Sequence, residues 1–315
     1  MARVLVVGRI AEDGLAVLRD AGHEVVTLEE GDAAALDAAL PGTEAILVRT
    51  MRLQPEQLDR ATGLRIVSRH GVGYDNVPID HLTARGVPLA IAASANKVAV
   101  AEHAFWMILE LLKRGREHDR AVRAGDWGFR ARNAALEAAG RRLLLVGCGR
   151  IGSELGRRAV AFAMSVAVHD PYAAAVPFAL EPDLDAALAR ADVVSLHLPL
   201  TTATRGLISR ARLALLQPHA ILVNTARGGL VDEVALAEAL RAGRLRGAGI
   251  DVFADEPPAT EHPLLDLPNV LLTPHSGGIT AESAVRMAIE AARNIVDHLA
   301  GRLDPAVCVN PSVLR

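Results

Sequence analysis

Three residues with reactive side chains follow short apolar runs in the second half of the 315-residue chain. Arg227 comes just after the run at residues 221–225, where a guanidinium could clamp a carboxylate and polarise an adjacent carbonyl. His275 follows the run at residues 270–273, and an imidazole suits proton exchange with an alcohol or carbonyl oxygen near neutral pH. Glu256 could hold that imidazole in its protonated form. Taken alone, each residue is also compatible with an ordinary loop position.

A glycine turn lies upstream of these residues. Gly147, Gly149 and Gly152 directly follow the apolar run at residues 143–146 and precede a helical pattern. The first glycine permits a tight turn, the second lets the backbone approach a pyrophosphate, and the third allows close helix–strand packing. Asp170 ends the next predicted strand, eighteen residues beyond Gly152, where a carboxylate can bind the adenosine ribose and repel a 2′-phosphate. The pattern favours NAD over NADP; the alternative is a structural turn with an ordinary aspartate.

Apolar runs alternate with helical patterns from end to end, which is typical of βαβ units around parallel sheets. Hydrophobic residues make up 51% of the chain and aromatic residues only 3%, so Ala, Val, Leu and Ile must form the cores. The predicted strands of a first sheet are residues 4–7, 24–27, 45–48, 65–68 and 88–90. The six predicted strands of a second sheet are residues 142–147, 165–169, 193–198, 220–225, 248–251 and 270–273. A helix at about residues 98–114 separates the two sets, and a final helix at about residues 281–299 is expected to return to the first domain.

The bulk composition excludes several classes of partner. The net charge is −3 without a long run of either sign, which argues against a nucleic-acid-binding stripe or a polybasic membrane anchor. No stretch approaches the roughly 18 uninterrupted apolar residues of a membrane span. Cys148 and Cys308 lie far apart and form no metal-ligand cluster. We therefore expect a cytoplasmic protein with reduced thiols and no metal, nucleic-acid or membrane partner.

Five motifs resemble those of the D-isomer-specific 2-hydroxyacid dehydrogenase family. They are NTARGG at residues 224–229, DVF at residues 251–253 with Glu256 and Pro257, TPH at residues 273–275, GVGYDN at residues 71–76, and Asn96 with VAEH at residues 100–103. The matches run in the family's order from about residue 45 to about residue 280. Several of the motifs are individually long, so chance agreement of all of them is negligible.

The resemblance implies two doubly wound α/β domains with parallel sheets. A flavodoxin-like substrate domain comprises residues 1–97 and 282–315, and an inserted Rossmann NAD-binding domain comprises residues 98–281. The family also forms dimers through the segment that spans roughly residues 102–141 here. We therefore expect a homodimer.

The resemblance implies that Arg227, Glu256 and His275 form the catalytic set. The expected cofactor contacts are Gly147, Gly149, Arg150, Ile151, Gly152, Asp170, Pro171, Leu198, Thr204, Thr225, Ala226, Asp251 and Gly277. The expected substrate contacts are Arg49, Val72, Gly73 and Asn96.

The expected reaction is NAD-dependent hydride transfer at C2 of a small 2-hydroxy or 2-oxo acid in a cleft between the domains. Arg49 and Thr50 resemble the Arg-Ser pair of phosphoglycerate dehydrogenases, and Arg69 and His70 would add positive charge; the alternative is that these are ordinary loop residues. The chain ends at Arg315 without the regulatory domain of many phosphoglycerate dehydrogenases. The 3-phosphoglycerate, glycerate/hydroxypyruvate and glyoxylate classes therefore stay open. The alternative function is a non-catalytic NAD(H)-sensing protein, similar to the co-repressors related to this family.

Overall fold

Two compact units make up the chain in a computed structural model that describes residues 1–132, 134–173 and 175–314. One unit comprises Met1–Asn96 and Ile279–Arg315, and the other comprises Lys97–Gly278. Each unit contains one sheet with parallel strands and helices around it, which confirms the predicted fold class. The assignment of residues 1–97 and 282–315 to the substrate and of residues 98–281 to the cofactor stays a prediction.

The first unit has a five-stranded sheet in the order β2-β1-β3-β4-β5, which is the flavodoxin-like order. Its strands are β1 (Arg3–Val7), β2 (Glu24–Leu28), β3 (Ala45–Val48), β4 (Ile66–Arg69) and β5 (Leu89–Ile91). The helices between them are α1 (Glu12–Asp20), α2 (Ala33–Ala39), α3 (Pro55–Leu58) and α4 (Ile79–Ala84). All five predicted strands of this sheet are confirmed to within about one residue at each end.

The second unit begins with two helices, α5 (Lys97–Lys113) and α6 (Gly115–Arg123), and a 3₁₀ turn at Trp127–Arg132. Its strands are β6 (Arg142–Val146), β7 (Ser165–His169), β8 (Ala179–Leu180), β9 (Val193–Leu196), β10 (Ile221–Asn224), β11 (Gly247–Ile250) and β12 (Val270–Leu272). The remaining helices are α7 (Arg150–Ala161), α8 (Leu184–Leu188), α9 (Arg210–Leu213) and α10 (Glu233–Arg241).

The strand order of the second sheet is β12-β11-β10-β9-β6-β7-β8, a doubly wound order with β6 near its middle. The six predicted strands are confirmed, but the prediction of six was one too few. The additional strand, β8, is only two residues long and both are exposed, so no apolar run marks it. Helix α6 was also not predicted, because it is predominantly charged and buries only Ala121.

Successive residues of each central strand are buried on opposite faces of the sheet. Val4 and Val6 of β1 belong to one apolar cluster, while Leu5 and Val7 belong to another, and all four are fully buried. Strand β6 repeats the pattern with Leu144 on one face and Leu143 on the other. Because helices cover both faces, the strands read as continuous apolar runs rather than as alternating ones.

The final helix, α11 (Ala281–Leu299), packs on the first unit, as the sequence predicts. Its Ala291 and Ile295 cover the face of the sheet that contains Val4, and the Ser68 hydroxyl donates to the Ala291 carbonyl at 2.8 Å. The segment after α11 then reaches strand β5, where the side chain of Asn310 accepts a hydrogen bond from the Leu89 backbone at 2.8 Å. Residues at both ends of the sequence therefore complete one core.

None of the helices in the described part of the chain combines the length and the apolar content that a membrane crossing requires.

Helices α1 and α11 approach so closely that only glycine fits at Gly14. A Cβ atom at this position would lie 2.7 Å from backbone atoms of Ala288. Overpacking typically costs about 1–3 kcal/mol, against a gain of about 1 kcal/mol for alanine over glycine within a helix. We expect Gly14→Ala to lower the free energy of unfolding in urea denaturation by up to about 2 kcal/mol, the difference between these two effects. Gly63→Ala is the matched control, because no described atom lies within 4 Å of the position that its Cβ would take; equal stability of the two variants would contradict the prediction.

Candidate active site

The predicted catalytic and cofactor residues of the second unit all follow the carboxyl ends of its parallel strands. The glycine turn follows β6, Asp170 and Pro171 follow β7, Leu198 and Thr204 follow β9, Thr225, Ala226 and Arg227 follow β10, Asp251 and Glu256 follow β11, and His275 and Gly277 follow β12. Ligands of open α/β sheets bind outside this edge. The fold therefore gathers these residues where a ligand site is expected.

His275 and Glu256 are in direct contact. The Nδ1 atom of His275 lies 2.7 Å from Oε2 of Glu256, and Oε1 of Glu256 accepts a hydrogen bond from the Phe253 backbone at 3.0 Å. Burial alone would raise the pKa of Glu256, but the hydrogen bonds from His275 and Phe253 outweigh it and lower that pKa. Because an ionised carboxylate only accepts hydrogen bonds, Nδ1 of His275 must carry a proton. The other ring nitrogen, Nε2, is then the atom that can exchange a proton with a ligand.

The backbone of His275 adopts a left-handed conformation, with a φ angle of 51°. Residues with a Cβ atom rarely do so unless their surroundings enforce it. The His275 amide donates to the Asp251 carbonyl at 2.7 Å, and the Asp251 carboxylate accepts hydrogen bonds from the amides of Ser276 and Gly277 at 2.8 and 2.9 Å. Two predicted cofactor residues, Asp251 and Gly277, are thus bonded to each other.

Arg227 precedes a 3₁₀ turn at Gly228–Leu230, and its Nη1 donates to the Ala226 carbonyl at 2.6 Å. A Cβ atom on Gly228 would overlap the backbone at Phe253 and Ala254, the segment that leads to Glu256. Only glycine therefore allows the Arg227 turn to pack against the Glu256 loop. Arg227 also contributes to the lowered pKa of Glu256, after the hydrogen bonds from His275 and Phe253.

The glycine turn has the features that a dinucleotide requires. Gly147 has a φ angle of 88°, and a Cβ atom on Gly152 would lie 2.6 Å from the Gly147 carbonyl oxygen. In contrast, no described atom lies within 4 Å of the position that a Cβ of Gly149 would take. Helix α7 begins at Arg150 and Ile151 directly after Gly149, so its N-terminal amides border this open space. A pyrophosphate suits such a helix N-terminus.

Asp170 is tied to the same turn. Its Oδ2 accepts a hydrogen bond from the Cys148 amide at 2.9 Å, and its Oδ1 accepts one from the Tyr172 amide at 3.0 Å. These bonds fix the carboxylate at the end of β7, with Pro171 exposed beside it. A carboxylate also keeps lone pairs for ribose hydroxyl groups, since its two oxygens offer about four acceptor positions.

One predicted cofactor contact has a polar atom without a hydrogen-bond partner. The hydroxyl oxygen of Thr225 is buried and unpaired within the described residues. A buried, unpaired hydroxyl is uncommon in a folded protein and is expected where a ligand completes the site. Thr204, by contrast, donates its hydroxyl to the Pro199 carbonyl at 2.7 Å, and Leu198 is half-buried at the same strand end.

His197 lies behind the glycine turn rather than in a reactive position. Its carbonyl oxygen would lie 2.5 Å from a Cβ atom on Gly147, and its Nε2 is hydrogen-bonded to the Ser195 hydroxyl at 2.8 Å. Burial lowers the pKa of His197 to about 4, so the ring is neutral near pH 7. His197 is therefore a structural neighbour of the glycine turn.

The predicted substrate residues belong to the first unit. Arg49 follows β3, Val72 and Gly73 follow β4, and Asn96 follows β5, so all four lie beyond carboxyl strand ends of that sheet. The side-chain oxygen of Asn96 is buried and has no partner in the described part of the chain. Burial and the nearby Arg69 and Arg49 lower the pKa of His70 to about 4. The expectation that His70 adds positive charge is therefore wrong near neutral pH.

Two residues that contact this site were not predicted from the sequence. Thr273 donates its hydroxyl to Oδ1 of Asp251 at 2.6 Å, and Glu233 accepts a hydrogen bond from the Ala254 amide at 2.9 Å. Thr273 stands two residues before His275 in the TPH motif, and this proximity was the available signal. Glu233 lies in another helix, α10, and nothing in its local sequence connects it with the Glu256 loop.

Known proteins resemble this chain in sequence and in structure. The sequence pattern of the family described as "D-isomer specific 2-hydroxyacid dehydrogenase, NAD binding domain" matches residues 105–277. D-3-phosphoglycerate dehydrogenase of Mycobacterium leprae is 42% identical over 318 residues, which cover 99% of this chain and 60% of that protein. The chain thus spans about 60% of the length of the curated relatives that it matches first.

Two solved structures extend over nearly the whole chain. The TT0316 protein of Thermus thermophilus is 36% identical with a TM-score of 0.87, covering 98% of this chain and 99% of that one. An NADPH-dependent glyoxylate/hydroxypyruvate reductase of Sinorhizobium meliloti is 31% identical with a TM-score of 0.88, covering 100% of both chains. These similarities confirm the resemblance inferred from the motifs, and the chain belongs to the D-isomer-specific 2-hydroxyacid dehydrogenase family, with the family's NAD-binding domain in its second unit.

Proposed function

We propose that this chain is an NAD-dependent D-2-hydroxyacid dehydrogenase that interconverts small 2-hydroxy and 2-oxo acids. The observation that carries the proposal is the contact of 2.7 Å between Nδ1 of His275 and the Glu256 carboxylate. Relatives named D-3-phosphoglycerate dehydrogenase and glyoxylate/hydroxypyruvate reductase support the 3-phosphoglycerate, glycerate and glyoxylate classes as candidate substrates. The nicotinamide cofactor, when bound, supplies a hydride to C2 of the 2-oxo acid or accepts it from the 2-hydroxy acid.

His275 is the proposed general acid and base. In the reductive direction its Nε2 donates a proton to the oxygen on C2, and in the oxidative direction neutral Nε2 accepts that proton. Glu256 keeps Nδ1 protonated and fixes the plane of the ring through their hydrogen bond. Because the pKa of Glu256 is lowered, its carboxylate stays ionised throughout the neutral range and favours the protonated imidazole.

Arg227 is the proposed ligand of the substrate carboxylate. Its guanidinium is always charged and offers donors in a planar fork, which suits bidentate binding of a carboxylate. The packing of Gly228 against the Phe253–Ala254 backbone keeps its turn beside the loop of Glu256. The proposal also retains Arg49, Val72, Gly73 and Asn96 as substrate contacts, supported by the unpaired, buried side-chain oxygen of Asn96.

The residues around the glycine turn fit NAD. The open space at Gly149 and the N-terminus of α7 suit a pyrophosphate, and the unpaired hydroxyl of Thr225 suits a further polar contact. The Asp170 carboxylate, fixed by two amides, suits ribose hydroxyls and would repel the additional phosphate of NADP. The proposal also keeps the other cofactor contacts predicted from the sequence, which are Gly147, Arg150, Ile151, Gly152, Pro171, Leu198, Thr204, Ala226, Asp251 and Gly277.

Replacement of the general acid tests the reaction. General acid–base catalysis typically contributes about 10²–10⁴-fold, so His275→Ala should lower kcat by that factor while NADH binding changes little. The measurement is NADH or NADPH oxidation against a panel of hydroxypyruvate, glyoxylate and phosphohydroxypyruvate, with NADH binding followed by fluorescence. We expect NADH to be preferred.

Two outcomes would contradict this assignment. A His275→Ala enzyme with more than about a tenth of wild-type activity would exclude His275 as the general acid. A folded wild-type protein that binds NADH but turns over none of the panel would instead favour the non-catalytic NAD(H)-sensing alternative.

The glycine turn provides a second test, through the contrast between two of its glycines. Gly149→Ala should leave the melting temperature unchanged, since no described atom lies within 4 Å of the position that its Cβ would take. It should weaken NADH binding by about tenfold or more, because the added Cβ would keep the pyrophosphate from its charge-assisted contact with the backbone. Gly152→Ala should lower the melting temperature as well, because its Cβ would meet the Gly147 carbonyl at 2.6 Å. Wild-type NADH affinity in Gly149→Ala would argue against a pyrophosphate at this turn.

We further propose a cytoplasmic homodimer that associates through residues 102–141. Three large apolar side chains in this segment are exposed, namely Trp106 at 44%, Val122 at 60% and Trp127 at 66%. Exposed apolar groups that recur in one segment are typical of a protein interface. The two cysteines, Cys148 and Cys308, are free and buried, which suits a reducing compartment.

Sedimentation equilibrium tests the dimer. The wild-type chain of 33.3 kDa should sediment with about twice that mass, and Trp127→Glu should shift the distribution towards the monomer because a charge cannot be buried unpaired at low cost. Val234→Glu is the control, since Val234 is also exposed, at 57%, but lies outside the segment. A wild-type monomer, or equal dissociation of both variants, would contradict the proposed interface.

A further inference from the structure

A series of hydrogen bonds leads from helix α5 to the loop that contains His275. Nε2 of His103 lies 3.0 Å from the hydroxyl oxygen of Thr273, and that hydroxyl lies 2.6 Å from Oδ1 of Asp251. The same carboxylate accepts the amides of Ser276 and Gly277 at 2.8 and 2.9 Å. Residues on both sides of His275 are therefore attached to one carboxylate, and His103 is the outermost member of the series.

The direction of each hydrogen bond follows from the chemistry of the groups. A threonine hydroxyl has one proton, and the ionised carboxylate of Asp251 can only accept, so Thr273 donates to Asp251. The Thr273 oxygen must then accept from His103, which places a proton on Nε2 of that ring. Burial lowers the pKa of His103, although the Asp251 charge opposes the effect. Near neutral pH the ring is thus uncharged, with its Nε2 proton committed to Thr273.

The ring of His103 also packs directly against the loop. A Cβ atom on Gly277 would lie 2.8 Å from Oδ2 of Asp251 and 3.2 Å from Cδ2 of His103. The His103 side chain is 17% exposed and that of Asp251 only 2%, so little water can replace the contacts between them. The loop around His275 is therefore held by hydrogen bonds from its backbone amides to Asp251, and the ring of His103 from α5 packs against it.

This support is needed because of the conformation of His275. The left-handed φ angle of 51° is unfavourable for a residue with a Cβ atom and persists only where neighbouring contacts impose it. The amides of Ser276 and Gly277, together with the side chain of Thr273, supply those contacts. A rotation at His275 would break them and would also move the imidazole away from Glu256.

We propose that His103 and Thr273 are positioning residues for His275, which hold the Asp251 carboxylate so that the loop keeps the imidazole against Glu256. This inference rests on the proposed function of His275 as the general acid and base. We do not expect either side chain to donate a hydrogen bond to the substrate. The Nε2 proton of His103 is donated to Thr273, and the hydroxyl proton of Thr273 is donated to Asp251.

Kinetics of three variants test the proposal. We expect His103→Ala and Thr273→Val to lower kcat by about 10- to 100-fold, the range that a misplacement of about 1 Å produces. KM for the 2-oxo acid should change less than about twofold, because the displaced group acts on the transition state. His103→Gln should restore most of kcat, since the glutamine amide can also donate to Thr273.

Hydrogen–deuterium exchange gives a readout that does not depend on activity. Peptides that contain the Ser276 and Gly277 amides should exchange faster in His103→Ala and Thr273→Val than in the wild type, and His103→Gln should restore protection. His219→Ala is the matched control, because it removes a hydrogen bond of 2.8 Å to Asp192 at the amino ends of strands in the same sheet. The control should leave both kcat and the exchange of this loop unchanged.

The outcomes separate this proposal from the proposed function. Wild-type kcat and wild-type exchange in His103→Ala, beside an inactive His275→Ala, would overturn the positioning role alone. An active His275→Ala enzyme would overturn the proposed function and the positioning role with it. Equal losses of kcat in His103→Ala and His219→Ala would also overturn the proposal, since they would indicate a general loss of structure.

Discussion

The buried carboxylate of Asp251 is the constraint on which the geometry of the candidate active site depends. It is only 2% exposed, and the ring of His103 beside it is uncharged near neutral pH. Burying a charge is costly unless hydrogen bonds replace the lost water. Thr273, Ser276 and Gly277 supply those hydrogen bonds, and all of them belong to the segment around His275. If the loop around His275 moved away, the buried Asp251 carboxylate would lose these donors. The hydrogen bonds that stabilise the Asp251 charge therefore also fix the backbone conformation of His275.

The order of the strands explains why three distant residues meet. Arg227, Glu256 and His275 follow β10, β11 and β12, which are consecutive neighbours in the sheet. Neighbouring strands lie about 4.8 Å apart, so their carboxyl ends bring the following loops within side-chain reach of each other. The absence of a Cβ at Gly228 then lets two of these loops pack backbone to backbone. The parallel topology brings the three loops near one another, and Gly228 allows the Arg227 turn to contact the Glu256 loop directly.

The sequence predicted the elements whose signals are local and strong. Buried strands such as β6 are continuous apolar runs, and the glycine turn after it carries its own geometric requirement. The motifs also located Arg227, Glu256 and His275, although their roles stay predictions. The sequence did not reveal β8, which has two exposed residues, or the charged helix α6. The predicted charge of His70 was wrong, because the pKa of that ring depends on burial, on the adjacent Arg69 and on Arg49, which the fold brings near. Burial and long-range contact are properties of the folded chain, and no short pattern encodes them.

The first unit is built from both ends of the sequence, and this has a consequence for the order in which the protein folds as it is synthesised. The apolar face of its sheet that contains Val4 and Leu47 is covered by Ala291 and Ile295 of α11. The ribosome makes those covering residues only after the whole of Lys97–Gly278. During translation the earlier segment therefore waits with this face covered only in part, by Leu18 of α1, while the later unit already has all of its strands. The part of the chain that is made first is completed last, and the time for which that face meets solvent or a chaperone is set by the length of the insertion.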